Sequence, residues 1–98
     1  MFEDPECPYC HEIERQLADI DNVTIYTFLY PVEQLRPGAS EKARRIWCAK
    51  NRAMAWKNWM SDGVLPPDVH CAEDSLERQM RLGARVGVMA APTLIFAN

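Results

Sequence analysis

Long apolar runs are missing from this sequence, and with them the means of crossing a bilayer as a helix. Basic residues are not in surplus. Eleven Lys and Arg against 14 Asp and Glu leave a net charge of -3, with no basic stripe of the kind a nucleic-acid partner requires. So small a charge selects no other partner class. The opening Met1-Phe2-Glu3-Asp4-Pro5 has neither the basic start nor the apolar centre of a signal peptide. An exported protein would carry this sequence after removal of its leader. Internal repeats and low-complexity tracts are also missing. What remains is 98 residues, 48% hydrophobic and 26% charged, which reads as one ordinary globular domain rather than a disordered chain. A domain this small buries a modest share of its surface, so its stability margin is thin.

Against these absences, four cysteines stand out. An even number in a short chain suits an oxidising compartment, where disulfides persist; a metal site is the competing use.

Hydrophobic spacing sets the expected elements. Phe2-Glu3-Asp4 reads as the end of a strand, halted by Pro5. Ile13, Leu17 and Ile20 recur at helical spacing after Cys7, with Pro8 at the helix start, where its missing N–H costs nothing, and Asp21-Asn22 at the end. Val23 to Tyr30 predicts a strand apolar on both faces, hence central and covered on both sides. Ser40 is expected to cap a helix carrying Ala43, Ile46 and Trp47, and Asn51 a second with Ala53, Trp56 and Met60. Asp74 or Ser75 opens a third, with Leu76, Met80 and Gly83 inward, closing near Gly87. Thr93 to Phe96 predicts a final strand. Two strands separated by one helix suggest a parallel βαβ unit.

The chemistry concentrates at Cys7-Pro8-Tyr9-Cys10. A cysteine at a helix N-terminus meets unpaired N–H groups and the positive end of the dipole, both of which favour the nucleophilic thiolate. A second cysteine one turn on can attack a mixed disulfide and release the substrate. Cys7 is therefore expected to attack, as the exposed thiol, and Cys10 to resolve. Glu3, Asp4 and Glu6 act against the thiolate. The alternative is a zinc site, with Cys7 and Cys10 joined by Cys48, Cys71, His11 or His70. There is no second C-x-x-C, and Cys48 and Cys71 fall on different predicted elements, which argues against it. His11 is expected to be an exposed neighbour of the pair. Ala91-Pro92-Thr93 leads into the last strand; a cis proline beside the cysteines would present a backbone edge to an extended substrate.

Three runs carry a resemblance: Phe2 to His11 around the cysteines, Ile46-Trp47-Cys48-Ala49-Lys50, and Val88-Met89-Ala90-Ala91-Pro92-Thr93. Their order resembles that in periplasmic disulfide isomerases, and the chain looks like the catalytic domain of the DsbC/DsbG family over nearly its whole length. The resemblance implies an α/β thioredoxin-like fold over residues 1–98, with a helical insertion at about 39–86 between the βαβ unit and the cis-proline strand. It implies catalysis by Cys7 and Cys10 and substrate contact at Pro8, Tyr9, Ala91 and Pro92. It also implies a structural disulfide between Cys48 and Cys71, which favours the DsbC branch; two buried free thiols are the alternative. The family has an N-terminal dimerisation domain, and a further strand and helix after the last strand, that are not in this chain. Two positions depart from the pattern: Pro8 stands where many DsbC-type members have glycine, and Ala91 where threonine is usual.

The function expected is thiol–disulfide exchange without a cofactor or metal, as an isomerase or reductase acting on misoxidised exported proteins in the periplasm. A membrane-embedded thiol reductant of DsbD type and a full-length homodimer follow from the resemblance. A monomeric dithiol oxidase or reductase is the alternative within the fold, and a zinc-stabilised binding module the alternative outside it.

Overall fold

β1 (Phe2–Glu3) and β2 (Phe28–Leu29) pair in parallel, Phe2 opposite Phe28 and Glu3 opposite Leu29, with α1 (Pro8–Leu17) between them in the chain. In this computed structural model residues 1–72 and 74–96 are described, Asp74 by its backbone alone. The other edge of β1 meets the end of the chain: Phe2 N donates to Thr93 O at 2.8 Å and Thr93 N to Phe2 O at 3.0 Å, an isolated antiparallel bridge. β1 is thus the central track. The segment expected to be central lies beside it.

Both expected long strands are shorter than their composition suggests. Of Val23–Tyr30 only Phe28 and Leu29 form strand, and Val23, Ile25 and Tyr26 are exposed. In the observed register Thr27 is level with Met1, and Tyr26 O accepts from the Met1 amino group at 2.7 Å. The expected strand at Thr93–Phe96 reduces to the bridge at Thr93, with Leu94, Ile95 and Phe96 exposed.

Among the described residues three helices follow β2: α2 (Ala39–Trp47), α3 (Arg52–Asp62) and α4 (Asp74–Arg85). The expected cap at Ser40 is displaced. α2 starts at Ala39 after Gly38, whose φ of 90° suits glycine, and the Glu33 carboxylate accepts from Gly38 N at 2.6 Å and Ser40 N at 3.2 Å. A side chain from the preceding loop does the capping. α3 is capped by Asn51, whose Oδ1 accepts from Met54 N at 3.1 Å. The expected capping by Asp74 rests on a side chain outside the described residues. α1 stops at Leu17, leaving Ile20 outside the helix and exposed.

The core gathers Ala43 and Ile46 of α2, Trp56 and Met60 of α3 and Leu76 of α4 around Leu29, Cys7 and Cys10. α4 approaches the sheet at Gly83, where a Cβ would lie 2.5 Å from the Tyr30 ring. Phe2 stacks on Phe28 and meets Tyr30 edge-on beneath it. Gln79, one turn earlier on α4, accepts from Leu29 N through its Oε1 at 2.9 Å. Cys48, just past α2, is bonded to Cys71 in the loop before α4, Cα atoms 5.5 Å apart. Among the described residues no helix is long and apolar enough to cross a membrane.

Candidate active site

Cys7 is the N-cap of α1, with extended backbone (φ -82°, ψ 119°), and Pro8 follows inside the first turn. The cap position in most helices is filled by an oxygen; here Cys7 Sγ accepts from Cys10 N at 3.3 Å. A sulfur placed so accepts better as a thiolate than as a thiol, because the bond is then charge-assisted. As a thiol, Cys7 Sγ donates to Ala91 O at 3.4 Å. The sequence expectation of an exposed nucleophile is corrected here: Cys7 and Cys10 are both 0% exposed. The Ala91 segment approaches the Cys7 sulfur, and the exposed residues of the motif are Pro8 and Tyr9, the latter 72% accessible.

The two sulfurs differ in environment. Burial pushes the Cys10 thiol far up, Cys7 and Glu3 add to this, and the Asp4 N–H, 3.5 Å from Cys10 Sγ, opposes it. Cys10 is therefore a protonated thiol at neutral pH and does not compete as a nucleophile. The peptide bond between Ala91 and Pro92 is cis, and it adjoins the Ala91 carbonyl at Cys7. Ala91, Pro92, Pro8, Tyr9 and both cysteines thus meet at one end of α1. Cys48 and Cys71 form their bond elsewhere, and both sulfurs are used in it.

Three acids precede Cys7, and the structure handles each differently. Glu3 is fully buried on β1, and its carboxyl is pushed up to about 10, first by burial and then by the neighbouring Glu14. It is neutral at pH 7. Its Oε1 meets no hydrogen-bond partner among the described residues, its Oε2 accepts from Thr27 Oγ1 at 3.5 Å, and the neighbouring Glu14 accepts from Trp56 Nε1 through its Oε1 at 3.2 Å. Asp4 is also fully buried, with Oδ1 accepting from Glu6 N and Oδ2 from Val32 N, each at 2.9 Å. Its carbonyl accepts from Cys7 N at 3.1 Å. Asp4 therefore ties the approach to Cys7 to the loop after β2. Glu6 alone stays partly exposed, and it pairs with Lys42 Nζ of α2 at 3.3 Å.

His11 is also placed differently from its expected exposed position. It is half-buried, Nδ1 3.0 Å from Met60 O near the end of α3 and Nε2 2.8 Å from Pro5 O. Pro5 O accepts a second bond from Trp59 Nε1 at 2.7 Å. The Trp59 indole and the His11 ring thus hold α3 and α1 against the segment leading to Cys7. Sequence reasoning read Asp4 only as a charge beside Cys7, not as an acceptor for Glu6 N and Val32 N. It missed Lys42 and the hold of Trp59 on Pro5, because those contacts join elements that are distant along the chain.

This geometry is that of a dithiol site on a thioredoxin-like domain. A family described as thioredoxin-like domain matches residues 1–98, and the chain belongs to that family. Its relatives within it are disulfide interchange proteins. A probable thiol:disulfide interchange protein DsbC of Bordetella parapertussis is 44% identical over 98 residues, which are 100% of this chain and 34% of that protein. The thiol:disulfide interchange protein DsbC of Escherichia coli K12 is 29% identical over 100 residues, 100% of this chain and 42% of that one. The crystal structure of a disulfide interchange protein from Neisseria gonorrhoeae superposes with a TM-score of 0.90 at 36% identity, covering 97% of this chain and 68% of that chain. The chain thus spans about a third of the length of the Bordetella relative.

Proposed function

We propose that this chain performs thiol–disulfide exchange on exported proteins, as a disulfide isomerase and reductase. The observation that carries the reading is the asymmetry of the pair: Cys7 Sγ takes the Cys10 N–H at a helix N-terminus, while burial keeps Cys10 protonated. The Cys7 thiolate attacks one sulfur of a substrate disulfide. A bond forms between Cys7 and that sulfur, the substrate S–S bond breaks, and the other substrate sulfur leaves as a thiolate. Two exits follow. A second substrate thiolate can attack the linked substrate sulfur, forming a new substrate disulfide and freeing Cys7, which is isomerisation. Alternatively Cys10 loses its proton and attacks Cys7 Sγ. The substrate is released reduced, and Cys7 and Cys10 are left joined. A thiol reductant must then restore the pair. Pro8, Tyr9, Ala91 and Pro92 surround the sulfurs and are the proposed substrate contacts.

On the resemblance to the DsbC/DsbG family we further propose a periplasmic setting, a membrane-embedded thiol reductant of DsbD type as partner, and a homodimer formed through a domain outside these 98 residues; the relatives' names, thiol:disulfide interchange protein DsbC, agree with that family. In that arrangement the dimer holds the substrate while its bonds reshuffle, and this domain supplies the sulfur chemistry. Cys48–Cys71 is the proposed structural disulfide.

The test has two parts. Limiting alkylation of the reduced protein at mildly acidic pH, followed by peptide mapping, labels Cys7 first; faster labelling of Cys10 reverses the roles. Refolding of a scrambled-disulfide substrate is then compared with reduction of a simple disulfide protein. The chain on its own is expected to reduce well and isomerise poorly beside a dimeric relative, and equal isomerisation would remove the need for the dimer.

A further inference from the structure

Lys42 lies on α2, 35 positions after Cys7 in the chain, yet its ammonium sits 3.3 Å from the carboxylate of Glu6, the residue immediately before Cys7. It also stands 5.6 Å from the centre of the Trp59 ring, a cation–π distance, and Trp59 is itself fixed by its bond to Pro5 O. The Lys42 and Glu6 side chains are 25% and 27% exposed. A single pair still reached by solvent adds only modestly to stability. Its location is what sets it apart. Of the acids leading to Cys7, Glu3 is protonated and Asp4 spends its oxygens on two N–H groups, which leaves Glu6 as the acid open to solvent. An unpaired carboxylate one residue from a nucleophilic sulfur disfavours the thiolate.

We propose that Lys42 is a positioning residue for the exchange reaction: by pairing with Glu6 it offsets the negative charge beside Cys7 and keeps that sulfur reactive towards disulfides. The proposal rests on the reading of Cys7 as the nucleophile. It gives α2 a role in the chemistry besides packing. The groups that share the neighbourhood are Glu3 and Asp4 on the leading segment, Cys10, His11 and Glu14 on α1, and Lys42 on α2; the Ala91 segment contributes a carbonyl.

The experiment uses the reduced 98-residue chain and its variants Lys42→Met, Lys42→Arg, Glu6→Gln and Lys42→Met/Glu6→Gln. The rate of iodoacetamide labelling is followed from pH 5 to 9, with the labelled residue mapped and the urea midpoint measured alongside. Lys42→Met is expected to slow Cys7 labelling below neutrality by about three- to tenfold and to move the profile to higher pH. Lys42→Arg should restore the wild-type profile, and in the Glu6→Gln background the loss of Lys42 should change the rate less than twofold. Urea midpoints should stay close to wild type, since the pair is in part exposed and screened by solvent. An unmoved profile in Lys42→Met, or an equal slowing with and without Glu6, would overturn the proposal. Labelling at Cys10 in the wild type would instead overturn the assignment of the nucleophile, on which the proposal stands.

Discussion

Cys7 and Cys10 are three positions apart, lie on one turn of helix and stand as free thiols, whereas Cys48 and Cys71 are 23 positions apart, lie on separate elements and are bonded. Closing a loop of that length removes freedom from the unfolded chain worth about 3 kcal/mol in the chain-entropy account. A bond across one helical turn constrains almost nothing that the helix has not already ordered. The distant pair therefore suits stability and the near pair suits turnover. Their surroundings follow the same division. Around Cys7 and Cys10 the neighbours are N–H groups, a carbonyl and titratable side chains; Cys71 lies exposed in a loop, and Cys48 ends a helix.

The sharpest way to break this comparison is to change Cys7. Cys7→Ser is expected to abolish exchange, with a fall of at least about a thousandfold in the rate of disulfide reduction, because the attacking sulfur is gone. Cys10→Ser should still attack and should accumulate a mixed disulfide with substrate, visible by mass on non-reducing gels. Residual turnover in Cys7→Ser equal to that in Cys10→Ser would erase the asymmetry.

The distant pair gives the next largest effect. Cys48→Ala/Cys71→Ala should lower unfolding free energy by about 3 kcal/mol, read by urea titration, while the alkylation rate of Cys7 stays within about twofold of wild type. Equal losses of stability and of Cys7 reactivity would show that the two pairs are coupled.

Glu3 sharpens the comparison through pH. Its folded carboxyl keeps a proton up to about 10, against an ordinary value of 4.5. The unfolded chain sheds that proton first, so the term lowers stability steadily as pH rises from 4.5 towards 10. By pH 7 it amounts to about 3 kcal/mol. Glu3→Gln should flatten the decline of the urea midpoint between pH 5 and pH 8, and a decline as steep as wild type would place the linkage elsewhere. The smallest effect is expected at Gly83→Ala. The added methyl meets the Tyr30 ring at 2.5 Å, so the ring or α4 must shift, with a loss of about 1–3 kcal/mol.

Much of this was legible in the sequence where the information is local. The parallel pair of β1 and β2, the helix opened by Pro8 after Cys7, the Asn51 cap and the turn at Gly87 all follow from spacing and residue type. The lengths of the strands were not, because a strand extends only as far as its ladder does, and the observed ladder takes in Phe28 and Leu29 whatever the β-forming composition of Val23 to Tyr26. The resemblance marked both cysteine pairs and Pro92. It did not reveal that Glu3 and Asp4 lie fully buried or that the His11 ring lies between two backbone carbonyls. Charged residues beside an exposed-looking motif read as solvated, and only the packing of α1 and α3 around them reverses that.

The amide of Gln79 stands where the next strand of the sheet would otherwise offer a carbonyl. β2 is a sheet margin, and a margin with a free N–H invites another polypeptide to zip onto it. Here α4 lies along that margin and occupies the Leu29 donor with a side chain. Copies of this domain that meet in a crowded compartment find that donor already taken, and α4 must first lift away before strands can join there. Removing the amide, as in Gln79→Leu, would therefore be felt first in self-association on mild heating, before any change in the sulfur chemistry.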